Sequence, residues 1–261
     1  MREGSRLDRM RAFLDGLYYV YNRKELVDPD PLIFLYRYED PADREVAGLL
    51  ASCLAYGRVA QILKSVDRVL DVLGTKPSRT LKESGAPPLP DFRHRFTASE
   101  DVSRLIRNLA RLLRRHGSLE VFLKRAWQEK GGLLPALDAL SAELEPERTG
   151  FPLIPAPGDG SACKRLFLFL KWMTRRDDVD PGGWTFISPR DLIMPTDTHI
   201  HSLALGLGLT RRKVADLTTA LEITRAFSCI SPEDPTRYDF VLTRFGIRSG
   251  LDAKGLPSLL D

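Results

Sequence analysis

Apolar residues recur at helical spacing along most of the chain. After Asp40, a residue suited to cap a helix, and Pro41, suited to its first turn, apolar positions fall three and four residues apart as far as Leu54. A second run of this kind covers residues 59–73 and ends at Gly74, a residue type that commonly ends helices. Each run predicts an amphipathic helix that buries one face.

Helical periodicity continues through the second half of the chain, interrupted by proline and glycine. The segment 150–160 is too rich in both for a helix and is typical of a tight loop, so we expect it to join two lobes. We expect strand structure only in short pieces such as 184–187, and no internal repeat is present. The further predicted helices cover residues 102–117, 118–127, 133–144, 161–174, a segment after Pro195, 211–227 and 235–245.

This pattern predicts an all-α fold. Residues 30–160 form the first expected lobe, and residues 1–29 and 161–261 form the second. The chain of 261 residues is 43% hydrophobic, enough to bury a full core. A formal net charge of +4 and an isoelectric point near 9.0 favour binding to polyanions such as nucleic acid.

Cysteine content and hydropathy exclude several classes of protein. The three cysteines are far apart in sequence and have no Cys-x-x-Cys spacing, so we expect neither a disulfide framework nor a zinc or iron–sulfur cluster. No stretch approaches the about 18 unbroken apolar residues of a membrane span. We therefore expect a cytoplasmic protein that does not bind membranes.

A loop that opens a predicted helix is the first candidate site. Gly160 and Ser161 begin it, and Lys164 follows in the first turns of the helix. Free amides at a helix start can hold a phosphate, and the positive end of the helix dipole disfavours an ammonium, which favours a nucleophilic neutral amine. The alternative is that Lys164 is a solvated or phosphate-pairing cation.

The second candidate is Asp197, which precedes the helix predicted after Pro195. Its carboxylate could cap that helix or project into a cleft. With His199 and His201 it could also form part of a metal site, which would indicate a metal-dependent hydrolase. Two histidines at this spacing point about 200° apart on a helix, however, which argues against that alternative.

The order of these two segments resembles the helix-hairpin-helix DNA glycosylases of the endonuclease III type. In that superfamily a glycine-rich hairpin followed by a lysine precedes a Val-Asp-Thr-His segment; here the corresponding residues are 160–164 and 196–199. Residues 49–56 resemble the helix and small-residue turn that face DNA at the start of the six-helix lobe. The whole chain is also similar to the uncharacterised bacterial DUF2400 family, a similarity that implies no activity.

The superfamily resemblance implies a two-lobe, monomeric protein that flips a modified base out of damaged duplex DNA and excises it. Lys164 would attack the sugar, with AP-lyase activity as a possible second step, and Asp197 would stabilise the cationic transition state and assist proton transfer. No iron–sulfur cofactor is expected, although such hairpins can hold a monovalent cation on backbone carbonyls. A non-catalytic DNA-binding relative is the main alternative. The expected DNA-binding residues are Tyr56, Arg58, Gly158, Gly160, Ser161, His199, Arg211, Arg212 and Lys213.

The chain departs from the superfamily pattern in the interval between its two candidate catalytic residues. Asp197 follows Lys164 by 33 positions, considerably more than in endonuclease III. This spacing predicts an insertion, for which residues 177–190 are the best candidate. The hairpin also has Ala162 where its middle glycine is expected, although Gly158 offers another register.

Overall fold

A computed structural model describes residues 2–147 and 151–247, and it confirms the mostly helical fold. No helix in these two ranges has both the length and the apolar content that a membrane crossing requires. Gly150 of the predicted loop, residue 1 and residues 248–261 of the second predicted lobe lie outside the described residues. The helices are α1 (Arg2–Tyr21), α2 (Pro41–Cys53), α3 (Val59–Leu73), α4 (Pro77–Glu83), α5 (Ser99–His116), α6 (Leu119–Lys130), α7 (Leu133–Leu144), α8 (Lys164–Thr174), α9 (Thr198–Gly206), α10 (Leu217–Ile230) and α11 (Asp239–Ile247).

Local capping explains why several helices begin and end where the periodicity predicts. The Asp40 carboxylate accepts a hydrogen bond from the Ala42 amide at the start of α2, and the Ser118 hydroxyl accepts one from Val121 at the start of α6. Gly74, which follows α3, has a positive φ of 74°. Such a φ is readily available to glycine, so the chain can leave the helix there.

Strand structure occurs elsewhere than predicted. The expected strand at 184–187 is wrong, because Trp184 is buried in an irregular segment and its indole Nε1 donates to Glu45 Oε2 at 3.1 Å. The described residues instead form one antiparallel hairpin of β1 (Arg93–His94) and β2 (Thr97–Ala98). Helices α1 and α4 were also absent from the prediction.

Three predicted helices start later than their periodicity indicates. Asp216 caps α10 by accepting the Thr219 amide at 2.8 Å, so the helix expected over 211–227 begins at Leu217. Asp234 accepts the Thr236 amide in a turn, and the helix expected over 235–245 begins at Asp239. In the third case, Ser161 pairs with Asp216 in an isolated β-bridge, which keeps it out of α8.

Helix α2 lies at the centre of the fold, with most of its side chains buried, and packs against α8. Gly48 permits this close approach, since a Cβ there would lie 3.4 Å from the Phe169 ring. Helix α1 packs against α10 and α11. Helices from the two predicted lobes therefore share one continuous core, and the exact lobe boundary stays a prediction.

A buried carboxylate connects three segments of this core. Glu45, on α2, is 1% exposed and accepts hydrogen bonds from the backbone amide of Leu119, at 2.7 Å, and from Trp184. Burial raises the pKa of Glu45 to about 7. Glu45 therefore provides a hydrogen-bond acceptor for the first amide of α6, and an ionisable group is buried inside the protein as a result.

Candidate active site

A cavity of about 280 Å³ opens between the end of α2, the start of α3 and helices α8, α9 and α11. Its walls combine apolar side chains with a few charged and polar groups, as ligand sites commonly do. Four of the predicted site residues line it. The charged and polar lining residues are Asp30, Tyr56, Lys164, Lys171, Asp197, His199, Asp239 and Thr243.

Lys164 and Asp197 converge in this cavity. Lys164 Nζ lies 3.3 Å from Asp197 Oδ2, and the two side chains are 34% and 27% exposed. Cys163 has a left-handed backbone with a φ of 48°, and α8 begins at the next residue. The long interval between the two residues therefore does not keep them apart.

Asp197 performs both of the tasks that its sequence position allows. Its Oδ1 atom accepts the amides of His199, at 3.0 Å, and Ile200, at 2.8 Å, and thereby caps α9. Its Oδ2 atom faces Lys164. The cap fixes the orientation of the carboxylate, so the oxygen that points into the cavity has a defined position.

The segment between the two residues folds as a buried ionic cluster beside α8. Arg175 contacts Asp177 and Asp234, each at 2.7 Å, and also pairs with the fully buried Asp180. Asp180 in turn lies 3.2 Å from Lys171. The predicted insertion thus packs against α8 through charged pairs, and the carboxylate of Asp180 supports one wall of the cavity from behind.

Lys171 is a second lysine of the cavity, which the sequence analysis did not identify. Its side chain is 1% exposed, and its Nζ lies 3.2 Å from Asp180 Oδ1 and 3.2 Å from Asp239 Oδ2. Burial favours loss of its proton, but the two carboxylates outweigh burial and raise the pKa of Lys171. The pKa of Asp239 is raised, chiefly by burial. Lys171 is therefore a fixed cation, whereas Lys164 is accessible.

The two histidines of the 195–201 segment are held by different parts of the backbone. His199 Nε2 donates to the Leu242 carbonyl at 3.0 Å, and His201 Nε2 donates to the Arg212 carbonyl at 2.8 Å. Within residues 2–147 and 151–247, no three His, Cys, Asp or Glu side chains are grouped so that they could hold a metal ion. The metal-hydrolase alternative has no ligand set in this part of the chain.

Tyr56 forms part of the cavity wall and is anchored from outside it. Its hydroxyl donates to the His94 carbonyl at 3.1 Å and lies 2.5 Å from Thr97 Oγ1, so the tyrosine is tied to the β1–β2 hairpin. Burial raises the pKa of Tyr56, which keeps the phenol neutral. Arg58, by contrast, is exposed and does not line the cavity.

The predicted hairpin residues precede α8 and lie outside the cavity lining. The Gly158 amide donates to Asp138 Oδ1 at 2.7 Å, and the Gly160 carbonyl accepts the Leu217 amide at 3.0 Å. Ser161 Oγ accepts the Cys163 amide at 3.3 Å. These contacts fix the turn that delivers Lys164 to the cavity.

The basic segment 211–213 lies in the loop before α10, away from the cavity lining. All three side chains are exposed. Arg212 pairs with Asp216 at 2.5 Å, while Arg211 and Lys213 extend from the loop surface. The structure therefore brings Tyr56, Lys164, Asp197 and His199 together but leaves the basic segment separate from them.

One comparison with known proteins gives a result. A family model described as a protein of unknown function, DUF2400, matches residues 30–248. The chain belongs to the DUF2400 family. The range matched by the DUF2400 model contains every residue that lines the cavity. No curated protein and no solved structure matches the chain.

Proposed function

We propose that this DUF2400 protein is a DNA repair enzyme that excises a modified base through Lys164 and Asp197. The observation that supports the proposal is the 3.3 Å separation of an accessible lysine amine and a capped carboxylate at the wall of a cavity. The cavity volume of about 280 Å³ is at the small end for ligand sites, which suits a single extruded base rather than a larger ligand.

In the proposed reaction, Asp197 Oδ2 accepts a proton from Lys164 Nζ, and the neutral amine attacks C1′ of the extruded nucleotide. The C1′–N bond breaks, and its electron pair leaves with the base, which takes up a proton. Opening of the sugar ring protonates O4′ and gives a Schiff base between C1′ and the lysine. Water then releases the lysine, or loss of a C2′ proton expels the 3′ phosphate in a lyase step.

The contrast between the two lysines supports Lys164 as the nucleophile. Lys171 is held as an ammonium by two carboxylates and is almost without solvent exposure. Lys164 faces one carboxylate and is one-third exposed. A substrate atom can therefore approach Lys164 but cannot reach Lys171 without breaking a buried ion pair.

We propose further that the partner is duplex DNA, bound by a helix-hairpin-helix arrangement of the two lobes. The first amides of α8 have no side-chain cap, and they would hold a phosphate next to the extruded nucleotide. The exposed Arg58, Arg211 and Lys213 would pair with further phosphates. These contacts position the DNA without reading its sequence.

The test is borohydride trapping on duplexes that contain oxidised, alkylated, deaminated or abasic sites. Borohydride reduces a Schiff base to a stable secondary amine, so wild-type protein should become covalently attached to one or more of the duplexes. Lys164→Gln should give no adduct, whereas Lys124→Gln, which changes an exposed lysine on α6, should trap as well as wild type. Retained DNA affinity without any adduct or base release would favour the non-catalytic DNA-binding alternative.

A further inference from the structure

An exposed aromatic ring stands at the tip of the β1–β2 hairpin, next to the cavity. The strands pair His94 with Thr97, so that Arg95 and Phe96 form the two-residue turn. The Phe96 side chain is 68% exposed, although a phenylalanine gains stability by burial. Single exposed aromatic residues are common on protein surfaces, and Phe96 is distinguished by the way its hairpin is held against the cavity wall.

The hairpin is fixed to the cavity wall by hydrogen bonds in both directions. The Tyr56 hydroxyl forms hydrogen bonds to the hairpin, as described above, and the His94 ring of the hairpin forms hydrogen bonds to two residues outside it. His94 Nε2 donates to the Tyr56 carbonyl at 2.9 Å, and its Nδ1 accepts the Ser65 hydroxyl at 2.9 Å. Burial lowers the pKa of His94, so the ring stays neutral. The turn is consequently a rigid projection of the wall.

Packing between Arg95 and Gly57 adds a third connection. Gly57 lines the cavity with a φ of 100°, and a Cβ there would lie 2.6 Å from Cδ of Arg95. The aliphatic part of Arg95 therefore lies directly on the backbone of the cavity rim. Its guanidinium lies 5.1 Å from the Phe96 ring centroid.

A continuous row of aromatic rings extends from the hairpin tip to the cavity. The centroids of Phe96 and Phe151 are 5.9 Å apart, and those of Phe151 and Tyr56 are 4.9 Å apart. Arg165, the neighbour of the proposed nucleophile, lies 4.8 Å from the Phe151 ring. The hairpin residues 92–98 include two exposed arginines and no acidic residue. This surface is complementary to a polyanion with flat apolar rings.

We propose that Phe96 inserts into the base stack of duplex DNA and occupies the gap left by the nucleotide whose base enters the cavity. The inference rests on the proposed function, because the need for such a group arises only when a base is extruded. An extruded base leaves its neighbours without a stacking partner, and an apolar wedge can replace the lost contact. Arg93 and Arg95 bind the phosphates on either side of the gap.

The test measures binding to a duplex with one central tetrahydrofuran residue, an abasic analogue that has no base to release. Binding to it is therefore independent of lysine chemistry. Phe96→Ala should lose at least about tenfold in affinity for this duplex, the change expected from one lost base–aromatic stack. Its affinity for the intact duplex should match that of wild type.

Two variants separate stacking from general effects. Phe96→Trp should keep the affinity for the tetrahydrofuran duplex, since a larger ring can stack in the same gap. Tyr19→Ala is the matched control: Tyr19 is 76% exposed on α1, lies beside Arg23 at 5.6 Å from its ring centroid and does not line the cavity. It should bind the duplex as wild type does.

Each outcome has one meaning. Equal affinity of Phe96→Ala and wild type for the tetrahydrofuran duplex overturns the wedge, even if the Lys164 adduct forms. Selective loss in Phe96→Ala without any trapped adduct supports the wedge and removes the proposed chemistry. Failure of wild type to bind either duplex overturns both proposals.

Discussion

Replacing Lys171 by methionine should destabilise the protein severely, because it leaves a buried carboxylate without its cation. Asp180 keeps Arg175 as a partner, but no cation other than Lys171 is described within salt-bridge distance of Asp239. Asp239 is almost fully buried. Removal of one member of a buried ion pair typically costs about 3–5 kcal/mol. For a chain of this size that loss corresponds to a fall of about 6–20 °C in Tm.

The assay is urea unfolding at pH 7.5 of wild type, Lys171→Met, Asp239→Asn and the double variant. The double variant has neither charge, so its free energy of unfolding should be at least about 2 kcal/mol higher than that of Lys171→Met. The four proteins form a double-mutant cycle, which should give a coupling energy of at least about that size between Lys171 and Asp239. If Lys171→Met unfolds within about 1 kcal/mol of wild type, or if Asp239→Asn restores nothing, the buried pair does not have the role described.

The pH dependence of the same variant provides an independent check. Burial raises the pKa of Asp239 above its unfolded value, and the loss of Lys171 should raise it further. A carboxyl group with a raised folded-state pKa is protonated at low pH in the folded protein. As the pH rises, the group must ionise inside the protein, and the free energy of unfolding falls. The stability difference between wild type and Lys171→Met should therefore be smaller at pH 5 than at pH 7.5.

Three further outcomes are expected. The pKa of Glu45 is raised from 4.5 to about 7. As the pH rises through this range, the unfolding free energy of wild type should fall by up to about 3 kcal/mol relative to that of Glu45→Gln, as measured by urea titration. Asp197→Asn should keep the α9 cap and the Tm but lower the trapping rate at least about 100-fold, whereas Asp197→Ala should also lose about 1 kcal/mol of stability. An aromatic disulfide reagent should react rapidly only with Cys229, which is exposed, because Cys53 and Cys163 are buried and burial raises their pKa to about 12.

Several helix positions followed from the apolar periodicity alone. The bounds of α3 and α7 match the prediction, since both elements bury a regular apolar stripe. The prediction was wrong where polar side chains close local turns. Asp216 and Asp234 delay two helices in this way, and the pattern of apolar residues contains no information about such hydrogen bonds.

The candidate site was only partly accessible to sequence reasoning. Lys164 and Asp197 were identified from their positions at predicted helix starts and from the resemblance of their segments, and the structure places them in contact. Lys171 does have a local signal in the sequence. It is a charged residue within an apolar run, and it follows Lys164 by seven positions, about two helical turns. Asp239 has no comparable signal in the sequence. Its contact with Lys171 depends on how α11 is placed next to α8, and no local sequence pattern specifies that placement.

The dual role of Asp197 explains why capping and chemistry could not be separated from the sequence. A carboxylate held by two amides through one oxygen has little freedom left, so its second oxygen points in a fixed direction. The same hydrogen bonds that stabilise α9 therefore position the group that faces Lys164. A catalytic carboxylate benefits from such preorganisation, because no side-chain entropy is lost when the substrate binds. A helix cap beside an accessible lysine is consequently compatible with catalysis rather than an alternative to it.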